Sequence, residues 1–409
     1  MKDHAILAVN AGSSSIKFAL YPVHHALVDA ANVSGIVEGL EPGGAPAISM
    51  ESQGVKQVFP LVSDNSDSTD NIDDTDRFAL ALNHLRLLLE RHSAATTVVA
   101  VAHRIVHGGD RYAQSIVITS DVIDYLQTLN PLAPLHQPHN LEGVVAFQKA
   151  YPDLPQIACF DTGFHANLPR NERSVALPRA LVASGIRRYG FHGLSYRYVA
   201  GRLAQQSQRA QQRVIMAHLG NGASACAMHR GESVATTMGF SALDGLMMGT
   251  RCGALDPGII LHLLQAGWDA KKIEKTLYKE SGLLGVSGIS ADMRTLRQSQ
   301  APEAKEAIDL FTYRVTRECG ALAACLNGVD VVAFTGGIGE HDAQLRADVI
   351  AGLAYLGLKI NPQKNQLARG DAIAAIHADD SVQEIWVIPT DEGRIAAMDT
   401  AVLLTATRP

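Results

Sequence analysis

The chain reads as an α/β protein of two domains, and three observations lead there. An apolar strand that runs into a Gly- and Ser-rich turn and out into a second strand occurs near the N-terminus, in ILAVNAGSSSIKFAL from Ile6 to Leu20. The same layout returns about half a chain later, in RVIMAHLGNGASACAMHRGE from Arg213 to Glu232. Around these units, apolar runs of strand length alternate with helical periodicity, and 409 residues suffice for two cores of ordinary size.

In the first unit Ile16, Phe18 and Leu20 alternate with Ser15, Lys17 and Ala19, so the apolar set faces a core and Lys17 faces the other way. Gly12 lets the backbone approach an anion, while Ser13, Ser14 and Ser15 supply hydroxyls and amide N–H groups around it. A Ser-rich hairpin with one Lys is also an ordinary surface turn, so a phosphate reading needs partner turns. The second unit supplies one, since Val214 to Ala217 runs into Gly220, Asn221 and Gly222. A third, FTGGIGEH from Phe334 to His341, follows a strand from Val329 to Ala333 and precedes a helical pattern. Three such turns at strand ends suit a triphosphate and an adenosine lying in a cleft. No G-x-x-x-x-G-K-[ST], no G-x-G-x-x-G after the first strand and no H-R-D or D-F-G is present, so neither a P-loop nor a protein-kinase fold is indicated.

The remaining elements follow in order. Gly39 to Pro46 is a loop, and Ser63 to Asp76 is a solvated acidic loop that lacks the Gly and closing Glu of a calcium-binding hand. Its last Asp or Thr caps a helix from about Asp76 to Glu90, with Phe78, Ala81, Leu82, Leu85, Leu88 and Leu89 on one face. Strands Val98 to Ala102, Ile116 to Thr119 and Gln156 to Phe160 alternate with helices Asp121 to Leu129 and Leu141 to Lys149. The second half repeats the alternation, with a long amphipathic helix near Ala304 to Leu326, a strand Ile385 to Ile388 and a last helix from about Glu392 to Leu404. That helix is expected to return to the first domain. The expected domains are therefore 1–160 plus 391–409 and 161–390, with the active-site cleft between them.

Composition narrows the function. Hydrophobic content of 47% and charged content of 19% are those of a globular enzyme, and a net charge of −6 argues against nucleic acid or an anionic membrane as partner. No run of 18 apolar residues occurs and MKDHAILAVN enters a strand directly, so a cytoplasmic protein is expected. The five cysteines are scattered without a C-x-x-C and read as free thiols. His103 and His107 stand four apart, but Gly108 and Gly109 end any helix there and no further ligands complete a zinc set. Hard oxygen ligands to Mg²⁺, bound with the nucleotide, fit better.

The chain resembles the acetate kinase family in motifs along nearly its whole length. VNAGSSSIK, AHRIVHGG, APLH at Ala133 to His136, FDTGFH at Phe160 to His165, RRYGFHG at Arg187 to Gly193, AHLGNGAS, MGTRCGALDPG at Met248 to Gly258, FTGGIGEH and PTDE at Pro389 to Glu392 are similar to that family's blocks, in its order. The resemblance implies a two-domain actin-like fold, a duplicated ribonuclease H-like architecture shared with sugar kinases, heat-shock ATPases and actin, with an interdomain active-site cleft. It implies reversible phosphoryl transfer between ATP and a short-chain carboxylate, acetate first, giving acetyl phosphate and ADP with Mg²⁺, or Mn²⁺ as a substitute. A homodimer is expected on the same ground. Because a carboxylate must attack an anionic γ-phosphate, such an enzyme needs cations and donors more than a strong base.

Residue by residue, Arg104 and Arg251 match the family's essential arginines, which hold the carboxylate and the equatorial phosphoryl oxygens. His192 matches the histidine that stabilises the transferring group, and His136 and His218 match histidines at the substrate and phosphate sites. Asp161 is expected to orient an arginine or a metal-bound water and not to act as a base, since the attacking carboxylate carries no proton. Glu392 corresponds to the Mg²⁺-linked carboxylate and Asn10 lies beside the same phosphates. Ser13, Ser14, Ser15, Lys17, Gly220, Asn221 and Gly222 are assigned to phosphates, Gly337 and Ile338 to adenosine, and Asp292 and Arg294 to ribose and adenine.

Three departures from the family stand out. Leu194, Ser195 and Tyr196 follow RRYGFHG where Thr-Ser-His is usual, and Gly393 replaces a second Glu after PTDE. Ala242 stands where Pro is usual in an acyl pocket walled by Val106, Leu135 and Phe191, so the pocket is expected to be wider. A propionate or butyrate kinase of the same fold is the alternative within enzymes. An actin-like or chaperone-like ATP-binding protein is disfavoured, because Asn10 and His218 occupy sites where those relatives open their turns with Asp-x-Gly.

Overall fold

The computed structural model describes residues 3–12, 15–24, 26–40, 44–61, 74–92, 96–134 and 136–406. Ser13, Ser14, Leu135 and most of the acidic stretch lie outside the described residues, as do the side chains of residues 74–79, Phe78 among them. The chain divides into two compact units, Met1–Gly163 with Asp391–Pro409, and Phe164–Thr390.

In the first unit the strands are β1 (Asp3–Ala11), β2 (Ile16–His24), β3 (Leu27–Val28), β4 (Val33–Glu38), β5 (Ala47–Ser52), β6 (Val55–Pro60), β7 (Thr96–Ile105), β8 (Ile116–Val117) and β9 (Gln156–Phe160). They form one sheet in the order β6-β5-β4-β2-β1-β7-β9-β8, with β3 on β2. β1 and β2 pair antiparallel with Asn10 opposite Lys17, while β1, β7 and β9 run parallel. Leu7, Val9, Ile16, Phe18 and Leu20 pack with Leu82, Leu85 and Leu89 of the helix Asp74–His92 and Phe147 of the helix Gln137–Ala150. The C-terminal helix Glu392–Ala406 packs on β1 and β7.

Strands β4 to β6 extend this sheet beyond what the sequence reading foresaw. Their signal was a two-residue turn, Gln53 and Gly54, both with positive φ (52° and 76°), the hairpin geometry that matches strand twist. β8 stops at Val117, two residues short of expectation, because the Thr119 side chain accepts from Val122 N and caps the next helix, Ser120–Gln127.

In the second unit β10 (Arg213–Leu219), β11 (Ala223–His229), β12 (Glu232–Thr236), β13 (Val331–Thr335), β14 (Ala374–Ala375) and β15 (Glu384–Val387) form a sheet in the order β12-β11-β10-β13-β15-β14. β10 pairs antiparallel with β11, placing His218 opposite Ser224, and parallel with β13, which is parallel to β15. The core β12-β11-β10-β13-β15 thus repeats β4-β2-β1-β7-β9: an antiparallel meander, then two parallel strands. This is the duplicated, actin-like α/β layout. The helix Pro302–Leu326 begins with Pro in its first turn, buries Ala304, Ile308, Phe311, Val315 and Cys319, and ends at Asn327 in the left-handed region (φ 56°). Gly336–His341, read in the sequence as a loop before a helix, is itself a short helix.

Candidate active site

The polar residues of the first unit gather where β1, β7 and β9 end and the C-terminal helix begins. Asp161 follows β9 directly, its N–H donating to Ile105 O at 3.0 Å. Arg104, at the end of β7, forks onto it, Nη2 to Oδ2 at 2.5 Å and Nε to Oδ1 at 3.1 Å, and Nε also lies 3.1 Å from Glu392 Oε2. The Asp161 side chain is 1% exposed and that of Arg104 20%, so one cation serves two carboxylates with little water present. Burial alone would lower the Arg104 pKa, but Asp161 and Glu392 outweigh it and the guanidinium is held charged. Burial, with Glu392 adding to it, pushes Asp161 up to about 6 against the pull of Arg104. With both carboxylates ionised the trio carries an excess negative charge. That excess suits a divalent cation.

Beside the trio lies a cavity of about 180 Å³ lined by Asn10, Lys17, Tyr21, Arg104, Glu392 and Gly393. Tyr21 OH donates to Asp391 Oδ1 at 2.6 Å, and a Cβ on Gly393 would stand 2.4 Å from that hydroxyl oxygen. Gly393 is therefore a packing requirement of Tyr21. Val106 is fixed from behind by Asn140, whose Oδ1 accepts from Val106 N at 3.0 Å while Nδ2 donates to Ala11 O at 2.7 Å. Gln137 likewise accepts from His107 N and donates to His107 O, both at 3.1 Å. The sequence reading missed both. Their signal was polar side chains one turn apart on the buried face of a helix whose N-cap is His136.

In the second unit His218 lies opposite Thr335 on parallel strands, so the turns after β10 and β13 leave the sheet at the same end. A Cβ on Gly222 would stand 2.7 Å from Arg251 Nη2 and 3.3 Å from His192 Nε2. A guanidinium and an imidazole thus converge on a turn kept open by a missing side chain. Arg251 Nη1 donates to the Ala242 carbonyl at 2.6 Å, which gives position 242 an anchoring contact. The His192 and His218 rings stack with centroids 4.3 Å apart. Ser195 Oγ lies 2.8 Å from both His218 Nδ1 and Thr390 Oγ1.

His192 sits in the left-handed region (φ 58°, ψ 23°), a conformation that costs energy in a non-glycine residue and is held by its surroundings. His165 Nε2 donates to the Phe191 carbonyl at 2.9 Å, and Arg188 Nη1 donates to the carbonyls of Thr236, Thr237 and Met238 at 3.0 to 3.2 Å. Burial pushes His165 down to about 4 despite its bond to Phe191, so it holds the loop as a neutral ring.

Around the second turn, Asn221 Oδ1 lies where a Cβ on Gly249 would stand, and Gly249 N donates to Asn221 O at 2.9 Å. Glu340 Oε1 accepts from Gly336 N at 2.8 Å and Thr390 N at 3.1 Å, tying the third turn to the end of the unit. A Cβ on Gly337 would meet nothing within 4 Å, and Ile338 follows it in the same short helix. Asp292 and Arg294 occupy a more ordinary place. Asp292 Oδ1 caps the helix Met293–Gln298 by accepting from Arg294 N at 2.8 Å, and its carboxylate pairs with the Arg294 guanidinium at 2.6 Å on the surface.

Residues 5–398 match the model of the Acetokinase family. The chain belongs to that family. It is 48% identical over 403 residues to the acetate kinase of Rhodopseudomonas palustris, covering 96% of each chain. It is 43% identical to that of Methylocella silvestris, covering 98% of each. Among solved structures, Porphyromonas gingivalis acetate kinase superposes with a TM-score of 0.84 at 34% identity, over 98% of this chain and 100% of that one. A propionate kinase from Francisella tularensis does so with a TM-score of 0.84 at 35% identity, over 97% and 98%.

Proposed function

We infer that the chain transfers a phosphoryl group reversibly between ATP and acetate, giving acetyl phosphate and ADP. The observation that carries this reading is the convergence of Arg251 Nη2 and His192 Nε2 on Gly222. A fixed cation and a ring nitrogen aimed at one open turn are the groups that developing charge on a transferring phosphoryl requires. Backbone N–H groups of Gly220, Asn221 and Gly222, with Ser13, Ser14, Ser15, Lys17 and His218, hold the phosphate chain. Gly337 and Ile338 take the adenosine, with Asp292 and Arg294 near ribose and adenine. Arg104 orients the acetate carboxylate beside His136, while Val106, Leu135, Phe191 and Ala242 wall its methyl group. Asp161 acts by holding Arg104.

Mg²⁺, or Mn²⁺ in its place, would be held by Glu392 and Asn10 and supply positive charge at the phosphoryl oxygens; the excess carboxylate charge around Arg104 is the feature that fits it. We place the enzyme in the cytoplasm, and among the described residues no helix is long and apolar enough to cross a membrane. We also propose a homodimer. The helix Pro257–Gln265 is apolar yet buries none of its residues, leaving Ile259, Leu261 and Leu264 exposed, a face that a second copy would cover.

Trapping acyl phosphate with hydroxylamine, in MgATP with formate, acetate, propionate or butyrate, tests the reading. Acetate should give the highest kcat/KM. Propionate is the second reading, favoured by Ala242 in place of the bulkier ring and by the similarity to the Francisella enzyme, and it should fall within about tenfold of acetate. No acyl phosphate from any of the four acids with folded protein would overturn the assignment.

A further inference from the structure

Behind His192, on the side away from Gly222, lies a run of polar groups that the phosphoryl-transfer reading leaves unused. Tyr196 stands one helical turn after His192, its N–H donating to His192 O at 3.0 Å. It is fully buried, with its ring edge-on to His165 at 5.6 Å and to His218 at 6.5 Å. Its hydroxyl lies 2.5 Å from Ser224 Oγ, and Ser224 Oγ lies 2.8 Å from His192 Nδ1. Among the described residues Ser224 Oγ has these two hydrogen-bond partners. Ser224 is itself completely buried, so no solvent competes for its hydrogen.

Proton counting fixes the direction of this chain. Burial pushes the Tyr196 phenol well above its ordinary value, so it keeps its hydrogen. Among the described residues the one hydrogen-bond partner of that hydroxyl is Ser224 Oγ, so its hydrogen is directed there. Ser224 then has one hydrogen of its own and one remaining partner, His192 Nδ1. The opposite direction leaves the tyrosine O–H buried without an acceptor, an arrangement that native interiors avoid.

We propose that Tyr196, acting through Ser224, is a positioning residue that holds neutral His192 with its proton on Nε2, so that the nitrogen facing the Gly222 turn is an N–H donor to an anionic phosphoryl oxygen. This rests on the function inferred above. With the tautomer reversed, Nε2 would present a lone pair to that anion, and contact would be repulsive.

Long-range proton–nitrogen NMR spectra of the full chain labelled with ¹⁵N-histidine test this, with His192 assigned by the signal missing in His192→Gln. In the native protein the Nε2 signal should be of the protonated type and Nδ1 of the bare type. Tyr196→Phe should turn this into a mixture, because Ser224 is then free to accept from Nδ1–H. The same variant should lower kcat about tenfold with KM for acetate within about twofold, and should add no further loss in a His192→Gln background. If Tyr196→Phe folds poorly, Ser224→Ala breaks the link from the other side and should shift the tautomer in the same way. A proton on Nδ1 in the native enzyme, an unchanged tautomer in both variants, or an equal kcat loss in the His192→Gln background would overturn the proposal. Because the spectra need no turnover, absence of acyl phosphate formation would count against the function alone.

Discussion

Gly222→Ala isolates the convergence on which the function rests. A Cβ there would stand 2.7 Å from Arg251 Nη2 and 3.3 Å from His192 Nε2, so the guanidinium must retreat by about 0.7 Å to reach ordinary contact. Retreat costs the fold little, since the obstructing atom is the tip of a flexible side chain and Gly222 does not have a positive φ. It costs the site much more, because Arg251 is tethered to the Ala242 carbonyl at 2.6 Å and cannot move without loosening that bond. Misplacing one charged group by under an ångström should lower kcat by roughly 10², equivalent to about 2.7 kcal/mol of transition-state stabilisation. Hydroxylamine trapping at saturating MgATP and acetate gives kcat, and a thermal melt establishes the fold. A suitable control is Gly201→Ala, in the helix Gly193–Ala204, where a Cβ meets nothing within 4 Å; it should keep full activity and gain about 0.5 to 1 kcal/mol. A folded Gly222→Ala enzyme with kcat within about threefold of native would refute the placement of Arg251 and His192 at the transferring group.

Other expectations follow from the same geometry. Gly337→Ala adds a methyl group to open space where the adenosine is placed, and should raise KM for ATP severalfold at unchanged stability; an unchanged KM would move the nucleotide elsewhere. Arg104→Gln should lower kcat by about 10² or more and leave Asp161 without its cation. A carboxyl group whose folded pKa is raised contributes stability below its unfolded pKa of 3.8 and loses it as pH rises through the folded value, so this variant should be less stable relative to native at pH near 8 than near 5. Urea midpoints at the two pH values would show it, and an equal deficit at both would contradict the pairing. Chelation should abolish activity and added Mg²⁺ or Mn²⁺ restore it, with Glu392→Gln needing about tenfold more metal for half activity; turnover in metal-free solution would remove the role given to Glu392. His103, held neutral by burial against its bond to Gln156, titrates near 4 in the fold and 6.5 outside it. Its contribution is complete above 6.5 and lost as pH falls through 4, about 2 kcal/mol by pH 5, so His103→Gln should flatten acid destabilisation measured by urea. An equal slope in both proteins would refute it.

The repeated strand, turn and strand were legible because every part of that unit is local. Alternation in Ile16 to Leu20 sets which face is buried, and the register that follows, Asn10 on Lys17 and His218 on Ser224, needs nothing from elsewhere in the chain. What the sequence hid is held together over long separations. Asp161 was expected to orient an arginine or a metal-bound water, but that its partner is Arg104, 57 residues away, was not legible, nor was the reach of Asn140 to Ala11 across 129. Composition does not announce such pairs. Strand β6 was lost for another reason, since it is largely exposed and lacks the apolar alternation that marks a half-buried strand.

The departures from the family pattern show what residue identity leaves out and packing supplies. Gly393 looks like a lost carboxylate in the sequence, yet a side chain there would collide with Tyr21, whose hydroxyl holds Asp391 next to Glu392. Ala242 looks like a widened pocket wall, yet its carbonyl anchors Arg251, so a change at 242 acts on charge placement as well as on acyl room. Ala242→Pro therefore separates two effects: a backbone shift that loosens Arg251 depresses kcat for every acid alike, whereas a narrower pocket depresses propionate more than acetate. Relative kcat/KM for the two acids distinguishes them, because discrimination between substrates cancels any loss they share. Equal losses would assign position 242 to the arginine and remove it from the acyl wall.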